Sequence, residues 1–161
     1  MKKFILDLTV TENIRLNANY VLLKLTSQSL LPEMLPVQFA KRLVPSPTSW
    51  IRNQTSFRCL STKLIEMGRR KNVVLPLGNA YTMPLEASDK LLLVGGGVGT
   101  APMLYLGEQL AKKGHKPTFL LGARSDKDLL QLEEFAKYGE VYTTTEDGSH
   151  GEKGYVTQHS I

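Results

Sequence analysis

Leu91-Leu92-Leu93-Val94-Gly95-Gly96-Gly97-Val98-Gly99-Thr100-Ala101-Pro102 is the stretch on which the reading of this chain turns. An apolar run ends in four glycines within five residues, and a helical pattern follows at once. The expected local structure is a buried strand turning into a helix with its main chain bare. Glycine takes positive φ and lets a ligand approach the backbone without meeting a Cβ. The unpaired N–H groups and dipole of the helix start then attract phosphate. Pro102 suits the first helical turn, where its missing N–H would have no partner. The spacing departs from G-x-G-x-x-G: the sixth position is Thr100 counted from Gly95 and Pro102 counted from Gly97, and no Lys-Ser/Thr pair of the P-loop type follows. A tight turn without a ligand is the plainer alternative, but four glycines exceed what turn geometry requires.

Downstream, strands and helices alternate. Residues 101–113 predict a helix burying Met103, Leu106, Leu110 and Ala111, with Gly114 as its stop. A strand at Thr118–Leu121 ends in Gly122-Ala123-Arg124. Ser125 and Asp128 have capping-box spacing before a helix that should bury Leu129, Leu132, Phe135 and Ala136 and stop at Gly139. Val141–Thr144 is the next strand, followed by a turn at Glu146-Asp147-Gly148. This βαβαβ order implies a parallel sheet with helices packed on it. His115, after a helix end, reads as a surface residue, and Thr157 as a helix cap.

Upstream, residues 3–11 and 19–26 alternate apolar and polar, with Asn17-Ala18-Asn19 as the turn between two antiparallel strands. Pro32 and Pro36 bracket a loop, Gln38-Phe39-Ala40 begins a third strand, and Val73–Asn79 is a further strand ending in a turn. Ser88-Asp89 marks a boundary. Residues 41–72 break the pattern. They hold eight cations and one anion, an excess of +7, against 12 cations and 14 anions elsewhere. Leu60 to Met67 reads as at most a short helix, and the disagreement of local signals argues against an ordinary core element.

The chain has 161 residues, 42% hydrophobic and 22% charged, which places it among globular proteins. No apolar run approaches the length of a membrane span, and a secretory leader is rejected because Asp7 interrupts Phe4-Ile5-Leu6. The lone Cys59 excludes an internal disulfide and suits a reducing, cytoplasmic setting.

The glycine turn resembles the Gly-Gly-Gly-x-Gly-x-Ala-Pro loop of the ferredoxin–NAD(P) reductase superfamily. Within it, the chain is similar to the electron transfer subunits of NAD-dependent dihydroorotate dehydrogenases. Leu75-Pro76-Leu77-Gly78-Asn79 resembles their flavin-side turn, Leu121-Gly122-Ala123-Arg124 their second strand end, and residues 144–157 their Thr-Glu-Asp-Gly-Ser-x-Gly-x-Lys-Gly-x-Val-Thr signature. The likeness covers about 1–40 and 73–161. It implies a partial antiparallel flavin-binding β-barrel over 1–87 and a parallel-sheet α/β nucleotide-binding module over 88–161. It implies FAD and NAD as cofactors, and an FMN-containing catalytic subunit as partner, in which dihydroorotate becomes orotate. Gly95, Gly96, Gly97, Gly99, Thr100, Ala101 and Pro102 would hold a dinucleotide phosphate or line the flavin edge, and Gly78 and Asn79 would lie on the flavin side.

The likeness has gaps. Arg58-Cys59-Leu60-Ser61 is the nearest stretch to the family's Arg-Pro-Leu/Ile-Ser, so Arg58 and Ser61 are the candidates for the flavin diphosphate. Pro36-Val37-Gln38 stands for Pro-Gly-Gln, and the glycine-threonine motif before Val73 is missing. The family's 2Fe–2S cluster takes four cysteines from beyond the position of Ile161, so no cluster is expected on this chain alone. Two other readings stay open: a nucleotide-binding fragment without electron transfer, and a basic nucleic-acid-binding module built on 41–72 with Trp50 and Phe57. The gaps coincide with the +7 segment, which suggests a shifted reading frame or a recombined segment. The encoding DNA, read in its other frames across 41–72, should then yield family-like barrel strands; no such strands in any frame would refute the idea.

Overall fold

A computed structural model describes residues 4–30, 39–41, 49–51, 56–61, 65–77 and 90–161. The chain divides into two compact units, Met1–Tyr81 and Thr82–Ile161. The loop between Pro32 and Pro36, the Pro36-Val37-Gln38 turn, Gly78, Asn79 and the expected boundary at Ser88-Asp89 lie outside the described residues.

Alternation builds the first unit. β1 (Phe4–Arg15) and β2 (Val21–Thr26) form the expected hairpin, with Val10 opposite Leu25 and Arg15 opposite Val21. Asn17 holds its turn: Oδ1 accepts the N–H groups of Asn19 and Tyr20, each at 2.8 Å. Leu8, Val10, Val21, Leu23 and Leu25 are buried, whereas Ile5 on the opposite face of β1 is 73% exposed. The hairpin extends into a six-stranded antiparallel sheet with β3 (Phe39–Lys41), β4 (Ser49–Ile51), β5 (Ser56–Ser61) and β6 (Arg70–Leu77), ordered β3-β6-β1-β2-β5-β4.

The expectation for 41–72 is corrected here. β5 pairs with β2 along its whole length, from Ser61 opposite Val21 to Ser56 opposite Thr26, and β6 begins within the basic run. Leu60 and Ser61 end this strand, whereas the sequence pattern from Leu60 to Met67 reads as at most a short helix. Local pattern failed because a strand between two neighbours draws its hydrogen bonds from them, and that gain is invisible to propensity. The charges also have a sheet logic. Glu12, Lys24 and Arg58 stand in one cross-strand row. Lys24 Nζ lies 2.8 Å from Glu12 Oε1, and Arg58 Nη2 lies 3.3 Å from Glu12 Oε2. The Lys24 hydrogen bond, aided by the charges of Lys24 and Arg58, holds the Glu12 carboxyl below its ordinary value.

The second unit follows the βαβαβ expectation. β7 (Leu92–Gly96) runs through a 3-10 turn at Gly97–Gly99 into α1 (Thr100–Lys112). β8 (Thr118–Ala123), α2 (Leu132–Ala136) and β9 (Glu140–Thr145) come next. A short β10 (Glu152–Lys153), which the pattern did not announce, joins outside β9, and the all-parallel order is β10-β9-β8-β7. Both helices pack on the face that carries Phe119. The Phe119 ring meets Phe135 of α2 edge-on at 5.0 Å, and a Cβ on Gly107 of α1 would lie 2.2 Å from Phe119 Cζ.

Four local expectations change. α2 is a single short helix, because Gln131 takes φ 60° just before it; Leu129 and Leu132 are half-buried and Ala136 is exposed, leaving Phe135 as its anchor. Ser125 makes no capping bond to the backbone of the turn that follows; its Oγ reaches Asp128 Oδ2 at 3.4 Å, while Ser149 Oγ takes the Asp126 N–H at 2.8 Å. His115 is buried at 5% exposure, because the chain folds back beneath α1 and its N–H bonds Leu110 O at 3.1 Å. Thr157 caps nothing; it lies inside a 3-10 turn at Val156–Gln158, where the Gln158 side chain takes the Tyr155 N–H at 2.8 Å.

Gly107→Ala tests the helix–sheet contact. Alanine gains about 1 kcal/mol of helix propensity, but overpacking a filled core costs about 1–3 kcal/mol. Phe119 is fully buried against Phe135, so the clash should dominate, and urea denaturation should show a net loss of about 1–2 kcal/mol.

Candidate functional site

Parallel strands carry all their carboxyl ends to one edge, and here that edge is lined by small residues. In register, Gly96 of β7 faces Gly122 of β8, which faces Thr144 of β9. Two residues earlier the same row reads Val94, Leu120 and Tyr142, so the row continues the face opposite Phe119, away from α1 and α2. A pocket of about 250 Å³ lies there, lined by Gly96, Gly97, Gly122, Ala123, Arg124, Thr144, Glu146, Gly154, Tyr155 and Val156. All of these belong to the second unit.

The glycine turn supplies one wall. Gly97 takes φ +54°, which glycine adopts without strain, and a Cβ on Gly96, Gly97 or Gly99 would meet open space. Gly95 is bare for a different reason. Its Cβ would lie 2.9 Å from Gly99 O and from Thr100 Cα, so the missing side chain lets the turn close on itself. Thr100 Oγ1 donates to Gly97 O at 2.9 Å and ties the turn to α1. The first turn of α1 contains no acidic residue to satisfy its positive end.

The opposite rim is braced by a chain of bonds. Glu146 N–H donates to Ala123 O at 3.1 Å and Asp147 N–H to Arg124 O at 3.2 Å, which extends the β8–β9 ladder beyond the sheet. Ser149 donates to Asp147 Oδ1 through its N–H at 2.9 Å and its hydroxyl at 2.6 Å. Those two bonds hold the Asp147 carboxyl below its ordinary value of 3.8. Lower down, Glu152 receives the Ser160 hydroxyl and the Ser160 N–H, and these bonds depress its carboxyl as well, with His159 nearby adding to the effect. Arg124 and Glu146 are both exposed, so the rim offers one cation and one anion.

Of the residues proposed from sequence to bind a cofactor, Gly96 and Gly97 line this pocket, as do Gly122, Ala123 and Arg124 of the second strand end, while Gly78 and Asn79 lie outside the described residues. Gly95, Gly99, Thr100, Ala101 and Pro102 build the turn and the helix start behind it. Arg58 and Ser61 lie on β5 in the first unit, with Arg58 engaged by Glu12. Sequence reading missed Thr144, Glu146, Gly154, Tyr155 and Val156 as pocket residues. The signature at 144–157 was a signal for them, but their meeting depends on strand register. The pocket fits a phosphate-bearing dinucleotide by two observations: a Cβ on Gly96 or Gly97 would meet open space, and Thr144 Oγ1, fully buried, has no hydrogen-bond partner among the described residues. Among the described residues there is no cluster of three or more side chains suited to a metal ion, and no helix long and apolar enough to cross a membrane.

Comparison with known proteins agrees with this geometry. Residues 93–161 match the family described as Oxidoreductase NAD-binding domain. The chain is 45% identical over 93 residues to the dihydroorotate dehydrogenase B (NAD(+)) electron transfer subunit of Geobacillus sp. (strain WCH70), an alignment covering 56% of this chain and 35% of the relative. The chain thus spans about a third of the length of the curated relatives it matches. Among solved structures, the ferredoxin reductase of carbazole 1,9a-dioxygenase superposes with a TM-score of 0.81 at 15% identity, over 98% of this chain and 56% of the other. An NADH-dependent reduced ferredoxin-NADP oxidoreductase, described in connection with flavin-based electron bifurcation, gives 0.75 at 27% identity, over 93% and 60%. The resemblance read from the motifs therefore stands, and the fold is that of the ferredoxin reductases, an antiparallel sheet followed by a parallel α/β module.

The rim carboxylates make a pH test. Their folded-state pKa values are depressed, so the stability they add is fully present above their ordinary values of 3.8 and 4.5. It is lost as pH falls through the lowered folded values. Asp147→Ala should lower stability at pH 6 and flatten the acid decline, as read by urea midpoints from pH 6 to pH 3.

Proposed function

We propose that this chain moves electrons between NAD(H) and a partner redox subunit by way of FAD, and that the partner interconverts dihydroorotate and orotate in pyrimidine synthesis. The observation that carries this reading is the row of small residues Gly96, Gly122 and Thr144 at the carboxyl edge of a parallel sheet, open at Gly96, beside a helix start with no acidic residue in its first turn. Ligands of open α/β sheets bind at that edge. The curated relatives' name supplies the rest: they are electron transfer subunits of an NAD(+)-linked dihydroorotate dehydrogenase. Residues 88–161 are assigned to the nicotinamide dinucleotide and residues 1–87 to the flavin. A cytoplasmic setting and an FMN-containing partner belong to the same reading.

When bound, the nicotinamide supplies a hydride and the flavin divides its electron pair into single steps. This chain's residues bind and orient. The turn of Gly95, Gly96, Gly97 and Gly99 presents main chain to the dinucleotide phosphates, and Thr100, Ala101 and Pro102 set the helix start behind it. Arg124 attracts phosphate, and Glu146 offers an acceptor to ribose hydroxyls. Arg58, Ser61, Gly78 and Asn79 are assigned to the flavin side.

A second reading, a dinucleotide-binding fragment without flavin, draws on the ion pair between Arg58 and Glu12, which engages the one guanidinium offered to the flavin diphosphate. The visible spectrum of gently purified protein separates the two. Flavin absorbance supports the first; a colourless protein whose Tm rises with NADH supports the second, since only binding to the native state stabilises it. A colourless protein indifferent to NADH would refute both. Gly96→Val should keep the fold, because its side chain enters open space and valine favours strands. It should weaken NADH binding by more than about tenfold, measured by calorimetry, since the loss of close backbone approach and of phosphate contact exceeds about 1.4 kcal/mol.

A further inference from the structure

Three successive threonines end β9, and they are not equivalent. Thr143 Oγ1 lies 2.9 Å from His150 Nδ1, and Thr145 Oγ1 donates to His150 O at 2.8 Å and accepts the His150 N–H at 3.0 Å. Thr144 points to the other face of the sheet. It is 1% exposed, lines the pocket, and its hydroxyl has no partner among the described residues. Burying a hydroxyl without a hydrogen bond is unfavourable, and a sheet position has cheaper occupants such as valine. The polar group is therefore held in readiness for something outside the protein.

Its cover is visible. After β10 the chain turns at Gly154, with φ +130°, and crosses the sheet edge as a short strap, residues 155–158. The strap holds itself together by two bonds: Tyr155 N–H to Gln158 Oε1 and Gln158 N–H to Tyr155 O, each at 2.8 Å. Val156 sits over the bare backbone of β8. A Cβ built on Gly122 would lie 2.5 Å from Val156 Cγ1 and 3.0 Å from Thr144 Oγ1. The valine methyl and the threonine hydroxyl thus converge on the same few ångströms of uncovered main chain. An apolar methyl gives the hydroxyl no hydrogen bond, and the glycine beside the strap supplies a hinge.

We propose that Thr144 is a binding residue for the ribose–pyrophosphate portion of the dinucleotide, and that the 155–158 strap shields its hydroxyl until the ligand displaces Val156. The inference rests on the dinucleotide reading above. The hydroxyl bonds an oxygen of the ligand between the glycine turn and Arg124, and the strap opens about Gly154 to admit it. Because opening precedes that bond, the strap lowers apparent affinity by the fraction of molecules that are closed.

The test uses the 161-residue chain with ADP-ribose and NADH as probes. Thr144→Val keeps the shape and removes the hydroxyl. It should weaken both probes by about tenfold, the scale of one lost hydrogen bond to a charged ligand, while the Tm of the free protein stays level or rises. Thr144→Ser should bind as the parent does. A Thr144→Val protein that binds ADP-ribose like the parent, that loses only NADH, or that is itself destabilised overturns the assignment of Thr144. For the strap, a Cβ on Gly122 would lie 3.8 Å from Val156 Cβ, the usual span of a disulfide. In a Cys59→Ser background, Gly122→Cys with Val156→Cys should bind ADP-ribose at least about tenfold more weakly when oxidised than when reduced, the reduced double variant and not the parent being the reference because a side chain at Gly122 itself fills part of the pocket. Undiminished binding by the oxidised protein overturns the strap. Failure of the parent chain to bind either probe refutes the dinucleotide reading and this inference together; parent binding with an indifferent Thr144→Val refutes the inference alone.

Discussion

The register of the parallel sheet is the constraint on which the second unit depends. Gly96, Gly122 and Thr144 are far apart in sequence and stand side by side only because β7, β8 and β9 pair in one frame. A slip of one residue would turn each of them to the other face. Phe119 prevents it. Its ring is fully buried, edge-on to Phe135 and close against Gly107, so β8 has one position in which the aromatic side chain is accommodated. The packing on one face thereby sets the site on the other.

The glycines at the β7–α1 turn serve two ends. Gly95 is bare so that the turn can close on Gly99 and Thr100, whereas Gly96 and Gly97 are bare toward the pocket. The first is a folding requirement and the second a binding one. The opposite rim rests on Ser149, which joins the turn after β8 to the turn after β9 through Asp126 and Asp147. Polar bonds at this edge are strongest where the carboxylates are ionised.

In the first unit the cross-strand row of Glu12, Lys24 and Arg58 pairs one cation of the basic run, Arg58, with an anion on a neighbouring strand. Opposite charges on neighbouring strands stabilise pairing modestly. The place of Arg58 in a strand was not legible locally because its anionic partner, Glu12, comes from β1, 46 residues earlier. His115 misled sequence reading for a related reason: whether a residue after a helix end is buried depends on where the chain goes next, and here it goes back under α1.

The sequence alone determined the β-hairpin, the βαβαβ order, the glycine turn and the kinship carried by residues 144–157. Each of these follows from periodicity, from glycine stereochemistry or from a contiguous signature, all of which are local. Tertiary structure decided which glycines face the pocket, that β5 forms inside the basic run, that α2 is reduced to a single anchor, and that Thr144 and Val156 meet over Gly122. Those features arise from strand register and from packing between distant segments, and their energies belong to pairs of residues that no local window contains.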